Sequence, residues 1–350
     1  MDSLRPLPLT ASLREKIWGR RALSPYYADR GPEEQPVGES WLADGNSVVA
    51  AGPWAGRTVC DLIGSHGAEL LGERRAFDKR LEPTYFPILA KLLFVDEKLS
   101  VQVHPNDEYA LDAAGTPGKT EMWYIVDAEP GASVALGLTE QLSGERLRDA
   151  AMSGEIEKYL RWERVAKGDV IFVPPGLLHT MGAGVTICEI QQNSDVTYRF
   201  FDFGRPGPDG RPRALHLHDA AAVLVHHAWP GVTPRVHLSG DTIERELLAA
   251  CPYFAAERIL LTGEHHYQRK EHHPPAFQIA AVLHGRGRVD GYAYGPGSCF
   301  LIPAATTTFT VEVDEPTEAV VAYEPDLQAL RTAATRAGAS PQSVARALLE

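Results

Sequence analysis

The chain has 350 residues, of which 44% are hydrophobic and 23% charged, and its formal net charge at pH 7 is −12. That length exceeds what one compact core usually supports, so two domains are expected. The negative balance argues against a nucleic-acid partner or an anionic membrane surface, both of which need a broad basic face, whereas a small anionic ligand needs only a local group of Arg and Lys.

In chain order, the N-terminal stretch MDSLRPLPLTASLREKIWGRR has no apolar segment and no small-residue cleavage site, so no signal peptide is expected. No apolar run approaches the ~18 residues of a membrane span. Cys60, Cys188, Cys251 and Cys299 form no C-x-x-C pair and read as reduced thiols of a cytoplasmic protein. Turn residues then recur about every ten positions between short β-branched or aromatic runs. KLLFV, LSVQVH, EMWYIVDA, ASVALGL, DVIFVPP and VTICEIQQ all read as strands, a density that suggests an all-β sandwich or barrel. No G-x-G-x-x-G or P-loop pattern supports a nucleotide fold.

Helices interrupt the strands. Ser143 can cap GERLRDAAM, stopped by Gly154 with EIEKYLRW following, and LHDAAAVLVHHAW (217–229) is apolar at helical spacing and links the two halves. Residues 276–313 read as four short strands joined by Gly turns. The tail fits two short helices, the first capped by Asp326 and ended by Gly338, the second opened by Ser340–Pro341. The segments AKGDVIFVPPGLLH and GPGSCFLIPAATT share a strand–turn–strand pattern, as though a β-unit were duplicated and its second copy had lost its histidine, with Ala304–Thr308 in that place.

Residues i and i+2 of a strand face one side, so Gln102 and His104 project together from a strand ended by Pro105. His179 follows a Pro-Gly turn, and Glu121 opens an apolar strand where an unpaired carboxylate is costly to bury. Two imidazoles, a carboxylate and an amide oxygen at strand ends make a compact set for a divalent metal. Glu121 is preferred to Glu108, which lies in a polar loop entering a helix. His216, His218, and the adjacent pairs His226–His227, His265–His266 and His272–His273 read as surface or linker residues.

These motifs carry a resemblance. GESWLAD, FPILAKLLFVDEKLSVQVHPND, GKTEMWYI, GDVIFVPPGLLHTMGAGVTICEIQQNSDVTYRFFDFGR and FLIPA, spanning about residues 16–213 with weaker similarity to about 325, are similar to the type I phosphomannose isomerases in their short bacterial form. The resemblance implies a mainly β fold of two cupin (double-stranded β-helix) units, the second degenerate, with helical insertions and a linker. Its divisions are a metal-binding unit at 1–213, a helical linker at 214–236, the degenerate unit at 237–325 and a helical tail at 326–350.

It also implies one zinc ion per chain on Gln102, His104, Glu121 and His179, and interconversion of mannose 6-phosphate and fructose 6-phosphate through a cis-enediol. Lys119, Asp195 and Arg199 become the candidates around the sugar, Lys119 sharing a strand face with Glu121. The proton-transferring base stays open. So does the phosphate anchor, for which Arg20 and Arg21 stand beside Arg14, Lys16 and Arg205. Arg20 occupies a position where the family usually has a second Gly. A sensor that binds sugar phosphate without turnover would not need both Lys119 and Arg199. A cupin oxygenase or decarboxylase usually has a third histidine where this chain has Gln102. Whether the chain is a monomer or a homodimer is not fixed by the sequence.

Overall fold

The computed structural model describes residues 4–72, 80–142, 144–207, 210–226, 229, 231–238, 243–268 and 276–349. Three antiparallel sheets organise the chain. A six-stranded sheet runs in the order Val170–Val173, Glu121–Ala128, Val185–Gln192, Ile88–Val95, Val37–Ala43 and Ser12–Arg20. A five-stranded sheet, in the order Tyr198–Phe201, Val101–Val103, His179–Met181, Ser133–Leu138 and Leu160–Arg164, faces it. The core between them includes Trp18, Leu93, Trp123, Ile125, Leu136 and Ile187.

Strict alternation fixes what each face carries. Glu121, Trp123 and Ile125 point into this first barrel, while Met122, Tyr124 and Val126 point outward into a second core. That second core lies between the six-stranded sheet and the ten-stranded sheet of the other unit, whose Phe254, Phe277, Ile279 and Leu301 meet Phe86 and Ile190 there. Layers on both faces explain why Ile88–Val95 and Val185–Gln192 are buried throughout and show no polar alternation.

The ten-stranded sheet forms the second barrel around Val282, Phe300, Phe309 and Val311. The four strands expected in 276–313 are present as Gln278–Val289, Tyr292–Tyr294, Cys299–Ile302 and Thr308–Tyr323. Gly285 sits at φ +88° between two register shifts of the first and last of these strands, and a Cβ there would meet the Pro316 carbonyl oxygen at 2.4 Å, so only glycine allows the bend. The N-terminal strand Leu7–Thr10 pairs with Cys299–Ile302, so the start of the chain completes the sheet of the second unit.

Some helical expectations are corrected. EIEKYLRW is a 3₁₀ turn, Glu155–Tyr159, followed by the strand Leu160–Arg164, because Leu160 and Trp162 find an edge partner in Ser133–Leu138. The helix predicted over 217–229 spans only Leu217–Val223; Leu224 is extended and the Val225 amide bonds to the Gly176 carbonyl. Helix Val59–Leu71, opened by a Thr58–Asp61 capping box, lies outside the sequence reading. The tail helices Leu327–Arg336 and Pro341–Ala347 are capped by Asp326 and Ser340 as expected. Ser143, His227, His272 and His273 fall outside the described residues.

Candidate metal centre and active site

Side chains from three strands converge at one end of the first barrel. The donor atoms of His104, Glu121 and His179 lie within 4.8 Å of one another, and each residue is 1% exposed. His104 Nε2 is 3.5 Å from Glu121 Oε2, and His179 Nε2 is 3.3 Å from Glu121 Oε1. Gln102 pairs directly with His179 on one neighbouring strand and with Arg199 on the other. Directly opposed residues project to the same face, so Arg199, Gln102 and His179 form a row, with His104 two residues along from Gln102. The Gln102 amide nitrogen is 3.4 Å from His179 Nε2.

The imidazoles are held ready to ligate. Nδ1 of His104 lies 3.0 Å from the Val196 carbonyl oxygen, and Nδ1 of His179 lies 2.8 Å from that of Leu177. An Nδ1–H donated to a carbonyl leaves the Nε2 lone pair aimed at Glu121. Burial pushes the pKa of His104 well down and that of His179 down to about 4, and the Lys119 charge acts in the same direction, so both are neutral near pH 7.

Glu121 Oε2 is buried without an aligned hydrogen bond, although the Lys119 ammonium is an off-axis ion partner at 3.0 Å. Lys119 Nζ also sits 3.1 Å from His104 Nε2. Acceptor atoms facing one another, with one carboxylate oxygen lacking a donor, are the arrangement that a cation completes. The Lys119 segment is pinned to the start of helix Asp107–Ala114: Lys119 donates its amide to Pro105 and Gly118 donates to Asp107. A Cβ on Gly118 would lie 2.5 Å from the Asn106 carbonyl carbon, so glycine is required for the loop to press this close.

One row deeper lies a polar line that the sequence reading missed. Trp41, Lys91, Glu189 and Trp123 are register partners across adjacent strands and all face inward. Lys91 Nζ lies 3.3 Å from Glu189 and donates to Gln191 at 2.9 Å, and Trp123 Nε1–H is shared between Glu121 and Glu189 at 3.2 and 3.1 Å. Burial alone would lower the Lys91 pKa, but the carboxylates of Glu189 and Glu39 reverse this and hold it above its usual value. Burial raises the Glu189 carboxyl, with Lys91 opposing. The available signal was a charged residue inside an otherwise apolar run, in LAKLLFV and VTICEIQQ.

The expected residues divide. Lys119 comes to the centre; Arg199 pairs with Gln102 through its strand, while the charges nearest its guanidinium are those of Arg213, Asp202 and Arg205; Glu108 lies exposed on its helix. Arg199 donates to the Ala214 carbonyl at 3.1 Å, and its Nε is buried without a partner. Asp195 is exposed on the loop before Tyr198–Phe201, and its charge reaches Lys91; among the described residues it makes no ion pair with Arg199. Arg14 stacks over Trp41 at 4.9 Å and Lys16 lies 3.4 Å from Glu39, at the outer end of the polar line.

Arg20 and Arg21 are not brought to this centre. Arg20 donates to Asp96 at 2.6 Å and to Thr186 at 3.1 Å. Thr186 is five strand residues, ~17 Å, from the Gln191 that pairs with Glu121. Arg21 donates to the Glu34 carbonyl, and Arg205 is taken up by Asp202 at 2.7 Å. His216 is more than a linker residue: it donates its amide to the Arg199 carbonyl at 2.8 Å, and its Nδ1 accepts the Arg199 amide at 3.0 Å.

Comparison with known proteins agrees with this geometry. Residues 7–142 match the family model for the type I phosphomannose isomerase catalytic domain. Mannose-6-phosphate isomerase ManA of Bacillus subtilis is 35% identical over 321 residues, covering 88% of this chain and 96% of that protein. Mannose-6-phosphate isomerase of Streptococcus mutans is 33% identical over 317 residues, with the same shares covered. A crystal structure of mannose 6-phosphate isomerase from Bacillus subtilis superposes with a TM-score of 0.79 at 32% identity, covering 91% of this chain and 99% of that one. Because these relatives match at 33–35% identity over 88% of the chain, and so across both barrels, the chain belongs to the type I phosphomannose isomerase family.

Proposed function

We propose that this chain is a zinc-dependent isomerase that interconverts mannose 6-phosphate and fructose 6-phosphate through a cis-enediol, in the cytoplasm. The observation that carries the reading is the convergence of His104, Glu121 and His179 on one buried point. Two neutral imidazoles, a carboxylate and an amide suit zinc with a position left open for substrate. Gln102, His104, Glu121 and His179 would hold it, and bound there it supplies Lewis-acid polarisation of the sugar oxygens.

The remaining chemistry belongs to the chain. Moving a proton between C2 and C1 puts negative charge on the sugar oxygens. The Lys119 ammonium, 3.0 Å from Glu121, is a positive group at that place, and in this reading the Arg199 guanidinium, carried on the strand that pairs with Gln102, is the second. Asp195, exposed at the rim, balances them and orients the sugar. The Glu189 carboxyl, raised by burial and bonded through Trp123 to Glu121, has the tuning that suits taking a proton and returning it. In the same reading residues 1–213 carry the reaction, apart from Leu7–Thr10, which pairs into the sheet of the second unit, while 214–236 link, 237–325 form the degenerate unit and 326–350 the tail.

Proton NMR of the zinc-loaded protein with mannose 6-phosphate in deuterated water tests this. Fructose 6-phosphate should appear, with deuterium at the migrating position in proportion to exchange of the carried proton. Unchanged sugar with broadened resonances would overturn the enzyme reading in favour of a non-catalytic sugar-phosphate binder.

A further inference from the structure

The second barrel encloses a cavity of about 370 Å³. Interiors pack densely and leave few voids larger than a water molecule, so a space of this size reflects the residues chosen for its walls. The walls are the inward positions of the strands: Ile259 on Ala255–Leu261, Ala280 and Val282 on Gln278–Val289, Ala319 and Val321 on Thr308–Tyr323. The residues between them, such as Ile279, Ala281 and Val320, face the core shared with the first barrel. Small side chains make the room, since Ala319 stands opposite Val282, and Ala280 opposite Val321.

One end is closed by the tail helices, where Tyr323 packs with Leu330, Ala334 and Val344. There the wall turns polar. Arg245 donates to both oxygens of Glu257 at 2.7 and 2.8 Å, and the Tyr323 hydroxyl donates to the same carboxylate. At the same end the Tyr267 hydroxyl reaches Gln278, whose neighbour Ile279 pairs with Ala322, and the Tyr267 ring stacks on Phe309 with centroids 4.5 Å apart; further along the barrel the Tyr294 and Thr317 hydroxyls bond each other at 2.9 Å. The guanidinium and carboxylate neutralise each other, so among the described lining residues an anion such as a sugar phosphate meets no unpaired guanidinium or ammonium group. The cavity offers ring-sized apolar space with hydrogen-bonding groups at one end.

We propose that the second barrel is a binding site for a small uncharged molecule, one or two rings in size, whose hydroxyl or N–H bonds to the Glu257–Arg245–Tyr323 set. Ligand sites are typically apolar concavities of about 300–1,000 Å³ with a few polar anchors, and a dry apolar cavity of only about 150 Å³ already takes up benzene. The site does not depend on the isomerase reading, because the core between the sheets separates it from His104, Glu121 and His179.

Calorimetric titration of the full-length, zinc-loaded protein with 4-methylphenol, indole and toluene tests the proposal. One saturable site per chain is expected, with 4-methylphenol bound more tightly than toluene. Ala319→Phe and, separately, Ala280→Leu should weaken binding by about tenfold or more by filling the space while the circular dichroism spectrum and urea midpoint, which report folding, stay unchanged. Glu257→Gln should narrow the preference for 4-methylphenol over toluene, which gives a readout if neither filled variant folds. Absent or unsaturable uptake, uptake indifferent to both folded filled variants, or an unchanged preference in Glu257→Gln would each overturn it.

Discussion

The two barrels are built on similar strands and differ in what their inward positions carry. In the first, successive inward residues of Glu121–Ala128 are Glu121, Trp123 and Ile125, and the strands beside it contribute Glu189 and Lys91. In the second, the corresponding kind of position holds Ala280, Val282, Ala319 and Val321 around open space. Both barrels have close-bonded walls, so the fold itself does not select the chemistry. The ligand-forming set at one end of the first barrel does, at a desolvation cost that mutual pairing and a bound cation offset, whereas the Arg245–Glu257–Tyr323 set of the second barrel is satisfied within itself.

The largest effect should come from breaking the polar end. His104→Ala removes a donor whose Nδ1 is already anchored to Val196, leaving only Gln102, Glu121 and His179 to hold the ion. Zinc content by elemental analysis should fall to near zero, and kcat by about a thousandfold or more, with the circular dichroism spectrum retained. Stoichiometric zinc in that variant would remove His104 from the ligand set.

Making the first barrel more like the second should cost stability in a diagnostic pattern. Lys91→Met leaves Glu189 buried without its ion partner and should cost about 3–5 kcal/mol in urea unfolding, whereas adding Glu189→Met should recover most of that loss. Equal losses in single and double variants would mean that the pair contributes through packing and not through charge compensation.

The buried imidazoles of the first barrel set a pH dependence. Unfolded, His179 takes up a proton near pH 6.5; folded, it resists until about 4. Over that window the unfolded state binds more protons, so the stability of the metal-free protein is full above about 6.5 and falls as pH drops towards 4. The slope is up to about 1.4 kcal/mol per pH unit from this imidazole, and His104, also lowered, adds in the same sense. His179→Gln should flatten the urea midpoint against pH; an unchanged slope would place the titration elsewhere.

How much of this was legible follows from which signals are local. The Gln102–His104 face is a period-2 statement ended by a proline, and the strand runs were marked by β-branched and aromatic residues between turns. Helix Asp107–Ala114, from its Asn106 cap to Gly115, was likewise readable as a loop entering a helix. The Lys91–Glu189 line was not, because it depends on register between strands about 100 residues apart, and because sheets buried on both faces lose the alternation that would flag an inward charge. The position of Arg20 beside Asp96 and Thr186, away from the His–Glu–His set, was not legible for a related reason: the motif WGRR says nothing about which end of a strand its side chains reach. The shortened helix at Leu217–Val223 reflects tertiary override, since Val225 finds a better backbone partner in Gly176 than in another helical turn.

His216 supplies the mildest test, and one that separates positioning from ligation. It does not touch the metal donors; its two hydrogen bonds hold the backbone of Arg199, the strand partner of Gln102. Burial lowers its pKa and the Arg199 charge lowers it further, so Nδ1 remains an acceptor at neutral pH. His216→Ala should leave zinc stoichiometry intact and lower kcat by about tenfold through misplacement of the guanidinium, with little change in KM. His216→Asn, whose side-chain oxygen can accept the Arg199 amide, should restore much of the loss. If Ala and Asn variants are equally impaired, or if KM alone moves, the role of His216 is to anchor helix Leu217–Val223, and Arg199 is held by its strand without help.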